Sequence, residues 1–516
     1  MTAVVGDHGA TISLSLVSHT NAGKTTLART LLGRDVGQVR DAPHVTEFAD
    51  AFTMLETPQG ERLQLWDTPG FGDSLRLIKR LRRLETPIGW FMSAVWDRWR
   101  DRAFWASQQA LRNVRDEADV MLYLVNASES PDAAGYVAPE MELLAWVGKP
   151  VIVLLNQLGA PREAALEEVD IDRWRTQLRA FAPVREVLPL DAFARCWVQE
   201  LTLLRAIENV LDGEQRALMG RLRAAWQAQR EQTFDAAMKS IAASLARLAA
   251  STEELPAGGL RANLQANLKG LGKALGLGKA EDSPAALAQA ALAQRLDEEV
   301  RSNTLELIQL HGLGGTAHVE ILTRLATHYE LRLRLDEKKA AVWGGMVTGA
   351  LVGLKADLLS GGLTLGGGLL AGGLIGALGA AGLARCVNLV RGTERSWVAW
   401  NAEALDQMAE AALLRYLAVA HFGRGRGDWA QGESPPFWKD VIAKALAPHR
   451  DALATLWASR GARDSREDDP DEVSMLANAI EPIVRDAAST ALECLYGDST
   501  PPALRESAQA PALISA

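Results

Sequence analysis

Apolar residues follow two rhythms along this chain. Up to about residue 190 they form short runs bounded by turn residues: Ile12 to Val17, Ala51 to Glu56, Arg62 to Trp66, Asp119 to Val125, Val151 to Leu155 and Val184 to Leu190. Runs of this length, closed off by glycine, proline and polar residues, read as strands. Pro58-Gln59-Gly60 makes the second and third a hairpin, and Leu27 to Leu32 after the first run is helix-like. From about Glu200 the apolar positions fall three and four apart, the period of a helix. Leu201 to Leu255 reads as one long helix or a helical hairpin. Ala285 to Leu335 continues the pattern with a break at Gly312 to Gly315, and Glu394 to Phe422, Phe437 to Ser459 and Val473 to Tyr496 follow. The pattern predicts an α/β domain over 1–200, with a mostly parallel sheet and helices on both faces. An all-α region follows over 201–499, and 500–516 reads as a disordered tail.

Two stretches of the helical half differ from the rest. Gly258 to Lys279 sets Leu260, Leu264, Leu268, Leu271 and Leu275 on one stripe with Arg261, Lys269, Lys273 and Lys279 on the other face. That is either an amphipathic helix for an anionic membrane surface or an ordinary surface helix. Ala340 to Ala384 carries only Lys355 and Asp357 as charges, and glycines recur every fourth residue at Gly345, Gly349 and Gly353 and at Gly368, Gly372 and Gly376. Each glycine costs a helix up to ~1 kcal/mol against alanine. Close packing of two helices through small residues is the usual return. Lys338 and Lys339 precede the stretch, and Arg385, Arg391 and Arg395 follow it. Basic residues at both outer ends fit a hydrophobic helical hairpin with both ends in the cytoplasm. The alternative is a pair of helices buried in protein.

The chemistry sits where the first strand meets the first helix. Ser18-His19-Thr20-Asn21-Ala22-Gly23-Lys24-Thr25-Thr26 matches the phosphate loop G-x-x-x-x-G-K-[ST], with serine in place of the first glycine. Gly23 lets backbone approach a phosphate. The amides of Asn21, Ala22, Gly23, Lys24, Thr25 and Thr26, at a helix N-terminus, face the anion. Lys24 would reach the β- and γ-phosphates, and the Thr25 hydroxyl would bind Mg²⁺. A second motif, Asp67-Thr68-Pro69-Gly70, ends the Leu63 to Trp66 strand. There Asp67 would hold Mg²⁺ and the Gly70 amide would meet the γ-phosphate.

These two motifs, in this order, resemble the P-loop GTPases. The forms N-x-G-K-T and D-T-P-G resemble the Era-like branch of their translation-factor class. The whole chain is similar to an uncharacterised bacterial family that joins such a G domain to a C-terminal helical domain of unknown function. The resemblance implies GTP and GDP as ligands, Mg²⁺ as cofactor and GTP hydrolysis as activity. It makes Thr46 the switch I threonine, a further Mg²⁺ ligand. Phe71 follows Gly70 where Ras-type proteins carry a water-orienting glutamine, so hydrolysis needs another device. The resemblance supplies one: Asn21 helps bind K⁺ in place of an arginine finger. It implies slow turnover, with Asn21, Lys24 and Thr46 as the catalytic residues. Asn156-Gln157-Leu158-Gly159 stands where the family carries N-K-x-D. Asn156 matches, Gln157 replaces the lysine, and Gly159 replaces the aspartate that reads guanine.

A segment at 73–116 interrupts the domain at switch II. It opens with Arg76, Lys79, Arg80, Arg82 and Arg83, then sets Trp90, Phe91, Trp96, Trp99 and Trp105 among arginines. Most of these tryptophans read as core of a helix pair, and the segment is also the best candidate for a nucleotide-sensing surface. A net charge of −9 and a pI near 5.6 argue against nucleic acid as partner. Cys196, Cys386 and Cys494 suggest neither a disulfide framework nor a zinc site. With no secretory pattern at Met1 to Ala10, a cytoplasmic protein is expected. The sequence thus predicts a nucleotide-dependent switch at the inner face of the cytoplasmic membrane. It would contact the bilayer through 340–384 or form a homo-oligomer. A GTPase acting in ribosome or RNA assembly, and a scaffold with degenerate nucleotide binding, are the alternatives.

Overall fold

Six strands form one sheet in the order β2-β3-β1-β4-β5-β6: β1 (Thr11–Ser18), β2 (Asp50–Glu56), β3 (Arg62–Asp67), β4 (Val120–Asn126), β5 (Val151–Asn156) and β6 (Val184–Pro189). The computed structural model describes residues 10–19, 22–33, 50–71, 74–83, 102–158, 164–190, 196–254, 284–313, 387–391, 396–421, 436–460, 470–497, 500–501 and 504. β2 pairs with β3 antiparallel, as the hairpin reading predicts, and the other four pairings are parallel. β4 and β5 lie inside the sheet and are buried along nearly their whole length. That explains their unbroken apolar sequence, because helices cover both faces of a parallel sheet.

Around the sheet lie α1 (Lys24–Leu32), α2 (Ser74–Arg83), α3 (Arg102–Asp116), α4 (Val137–Val147), α5 (Ala164–Leu178) and α6 (Trp197–Val210). Phe71, Phe104, Tyr123, Met141 and Trp174 share one apolar core. Within the 73–116 segment, Trp105 is buried, as a core reading requires, and Arg76 lies 4.2 Å over the Phe104 ring. Trp90, Phe91, Trp96 and Trp99 lie outside the described residues.

The chain divides into two compact units, residues 1–232 with 421–429 and residues 233–420 with 430–516. The division falls inside α7 (Gly213–Ala250). The Leu201 to Leu255 pattern resolves into α6 and α7, separated at Leu211, whose backbone is extended. Glu200 on α6 accepts from the Trp226 indole at 2.8 Å and from Arg230 at 3.1 Å, both on α7.

The second unit contains β7 (Thr252–Glu254), α8 (Pro284–Leu310), β8 (Val387–Arg391), β9 (Ser396–Trp400), α9 (Ala402–Ala420), α10 (Pro436–Leu446), α11 (Arg450–Ser459) and α12 (Pro470–Tyr496). It is helical but not all-α, since β7, β9 and β8 form an antiparallel sheet. Ser396 to Trp400, expected as the start of a helix, is therefore a strand. Its Trp397, Val398 and Trp400, aromatic and β-branched residues, favour that state. Its partners are Thr252 to Glu254, far away in sequence, and Val387 to Arg391, just before it, so a local helical period could not reveal them. Arg460 fastens the end of this sheet, donating to the carbonyls of Trp457 (2.8 Å), Ala249 (3.3 Å) and Trp400. Burial lowers its pKa to about 10.

Gly312, at φ 65°, follows the last turn of α8, where the sequence placed a break. Thr500 and Leu504, in the expected tail, are buried, and the Thr500 hydroxyl donates to the Leu492 carbonyl at 3.3 Å. The amphipathic stretch at 258–279 and the glycine-rich stretch at 340–384 lie outside the described residues. Among the described residues, no helix is long and apolar enough to cross a membrane.

Candidate functional site

The carboxyl ends of β1, β3 and β5 meet at one edge of the sheet and bring the separate motifs together. In an open parallel sheet this is the edge where ligands bind. β1 leads through Gly23 into α1. Gly23 has φ 90°, and a Cβ there would lie 2.6 Å from the Asn156 amide nitrogen. Only glycine tolerates both the positive φ and the close approach. Asn156, fully buried at the end of β5, donates from Nδ2 to the Ala22 carbonyl at 2.9 Å. The asparagine of the expected base motif thus holds the phosphate loop. Gln157 has φ 59°, an unusual backbone for a residue other than glycine.

Lys24 is buried, and its ammonium donates to the Ser18 hydroxyl at 2.9 Å. The residue that replaces the first loop glycine therefore serves as the lysine's acceptor. Burial lowers the Lys24 pKa, opposed by the charges of Asp67 and Glu140. The Thr25 hydroxyl donates to Asp67 Oδ2 at 2.6 Å, joining the start of α1 to the end of β3. Burial raises the Asp67 pKa to about 6, against the Thr25 hydrogen bond and the Lys24 charge. Among the described residues, Asp67 Oδ1 is buried without a hydrogen-bond partner. An oxygen pair with one buried lone carboxylate oxygen fits a hard cation such as Mg²⁺, which takes its remaining ligands from water and phosphate. Thr26 is buried in α1, and its carbonyl accepts from Thr30 at 3.0 Å.

Past β3 the chain folds back on the loop. The Phe71 amide donates to the Ser18 carbonyl at 2.9 Å, and Phe71 is fully buried. The Gly70 carbonyl accepts from Ser107 on α3 at 3.4 Å. Asn21, Thr46 and Gly159 lie outside the described residues.

A second cluster, which belongs to no sequence motif, adjoins the loop. His19 Nδ1 is 2.8 Å from Glu140 Oε1, and Tyr123 donates to Glu140 Oε2 at 2.7 Å. The His19 ring stacks on Tyr136, with centroids 4.6 Å apart. Glu140 is fully buried on α4; burial raises its pKa, and the bonds from His19 and Tyr123 oppose that. One signal was available: Glu140 shares a helix face with Val137, Met141 and Leu144, where an apolar residue belongs.

Residues 13–157 match the protein family described as 50S ribosome-binding GTPase. Two curated relatives are named GTPase Era. The one from Geotalea uraniireducens is 26% identical over 189 residues, which is 36% of this chain and 52% of the relative. The one from Heliobacterium modesticaldum is 24% identical over 259 residues, 48% of this chain and 73% of the relative. Residues 13–157 thus resemble an Era-like G domain. Downstream, residues 331–479 match a second family, Domain of unknown function (DUF3482). The Era-like G domain is thus fused to a domain of unknown function. The match spans only about half the length of the first relative. Among solved structures, an Aquifex aeolicus Era variant bound to GDP·AlF4⁻ is 15% identical, covering 59% of this chain and 100% of its own, at a TM-score of 0.29. Era in complex with MgGDPNP and a segment of 16S ribosomal RNA is 17% identical, covering 59% and 90%, also at 0.29.

Proposed function

We propose that the protein binds GTP and GDP with Mg²⁺, hydrolyses GTP slowly and acts as a nucleotide-dependent switch. The observation that carries this reading is the convergence of Lys24, Thr25, Asp67 and Asn156 at one sheet edge. In this reading Lys24 exchanges Ser18 for the β- and γ-phosphates. Thr25 and Asp67 exchange each other for Mg²⁺, with Thr46 as a further ligand. The amides from Asn21 to Thr26 and that of Gly70 take up phosphate charge. Bound Mg²⁺ neutralises charge on the phosphates. Asn21 would help hold K⁺, whose charge would stand in for an arginine finger, since Phe71 occupies the position of the water-orienting glutamine.

Calorimetric titration with GTP, GDP and ATP, in K⁺ and then Na⁺ buffer, tests the reading. A preference for guanine nucleotides and K⁺-stimulated turnover are expected. Lys24→Ala should weaken GDP binding on the order of a hundredfold, the scale of a lost charge-assisted contact. An unchanged affinity would mean that the site is misread.

The switch is read out at the cytoplasmic face of a membrane, through the apolar, basic-flanked stretch at 340–384, or through self-association. Flotation with anionic liposomes and sedimentation velocity, each in GTP and in GDP, separate these outcomes from no coupling at all. A second reading, action on ribosomal RNA, is favoured by the family description, 50S ribosome-binding GTPase. The sequence-based expectation against nucleic acid finds no support in these relatives. Ribosomal RNA retained on the purified protein in the GTP state would favour the second reading.

A further inference from the structure

The cluster around Glu140 holds none of the groups assigned to the nucleotide's phosphates, yet it grips His19, the second residue of the phosphate loop. We propose that His19, held by Glu140 on α4, is a positioning residue that fixes the phosphate loop for the nucleotide's phosphates. This rests on the nucleotide-binding reading of the loop and adds to it a route by which α4 sets phosphate affinity.

The geometry constrains His19 from three sides. Its backbone forms a bridge with Phe71, directly after the Asp67-Thr68-Pro69-Gly70 turn. Its ring is stacked on Tyr136, at the start of α4. Its Nδ1 meets Glu140 Oε1, and the other carboxylate oxygen is held by Tyr123 on β4. A buried carboxylate is costly unless its oxygens are satisfied. These two bonds explain how Glu140 is tolerated in an apolar face. Glu140 also acts at a distance on Lys24, as one of the two carboxylates that favour its charged form. One acid therefore both anchors the loop's second residue and balances the loop's lysine. Preorganising a binding loop raises affinity, because less ordering is left for the ligand to drive.

The test is the affinity of the full chain for Mg·GDP, with thermal melting of each variant alongside. His19→Ala removes the anchor and should weaken binding on the order of tenfold, about 1.4 kcal/mol. His19→Asn keeps a donor where Nδ1 stands and should restore affinity to within about threefold of the original. Tyr123→Phe touches neither the loop nor the nucleotide. It frees one Glu140 oxygen and should weaken binding about threefold in a protein that still folds. In the double variant His19→Ala with Tyr123→Phe, the losses should be less than additive, because both act through Glu140. Lower melting temperatures with unchanged Mg·GDP affinity in all three single variants would overturn the proposal, leaving the cluster a packing device. Failure of His19→Asn to rescue would also overturn it. If the unaltered protein binds no Mg·GDP, the nucleotide reading falls and the proposal with it.

Discussion

Asp67 shows how a functional side chain works against the empty fold. Its carboxylate is buried beside Thr25, with one oxygen lacking a partner among the described residues. Its pKa of about 6 exceeds that of an unfolded aspartate. A raised carboxylate pKa makes its contribution to stability fully present below about pH 4, and lost as pH rises through about 6. At neutral pH the empty protein therefore carries a penalty of about 3 kcal/mol at this residue. Asp67→Asn removes that charge. In nucleotide-free, Mg²⁺-free buffer the variant should melt higher than the original at pH 8, and the gap should close towards pH 4.5. The same variant should lose Mg²⁺-dependent nucleotide affinity. An equal gap at both pH values would show that burial of the charge is not the cause.

At the scale of elements, legibility followed the distance between partners. The strands of the sheet were readable because each is a continuous or alternating apolar run, and the hairpin because its turn residues are local. Lys24, Thr25, Asp67 and Asn156 were readable because each sits at a fixed spacing from a strand end. The His19–Glu140 contact joins residues 121 positions apart, and nothing near either one announces the other. The β7–β9 pairing, which joins Thr252 to Ala399, was hidden for the same reason. The α6–α7 junction is a further case, since its key residue, Glu200, looked like an ordinary helical glutamate. It is nearly inaccessible and serves two donors on α7 through one oxygen. Glu200→Ala removes the acceptor from the buried Trp226 indole, which costs about 1–3 kcal/mol. Arg230, 4.5 Å over the Trp226 ring, loses its counter-charge as well. Glu200→Gln keeps an acceptor and should cost less. Urea denaturation that finds all three proteins equally stable would show that apolar contacts alone hold this junction.

At the scale of the whole molecule, the described site residues belong to one unit. Ser18, His19, Lys24, Thr25, Asp67, Glu140 and Asn156 lie within residues 1–232, as does the apolar core beneath them. Glu200, Trp226 and Arg230 lie there too, so a cut after Gln232 keeps the α6–α7 junction. The division falls within α7, between Gln232 and Thr233. A fragment of residues 1–232, which leaves out only 421–429 of this unit, should therefore fold and bind Mg·GDP within about threefold of the full chain, a difference below 1 kcal/mol. Circular dichroism checks the folding, and calorimetry the affinity. If the folded fragment binds as expected but no longer shows nucleotide-dependent liposome or self-association behaviour seen in the full chain, the second unit is the reader of the switch. If the folded fragment binds far more weakly, residues beyond 232 complete the site. The convergence at the ends of β1, β3 and β5 would then be necessary but not sufficient for nucleotide binding.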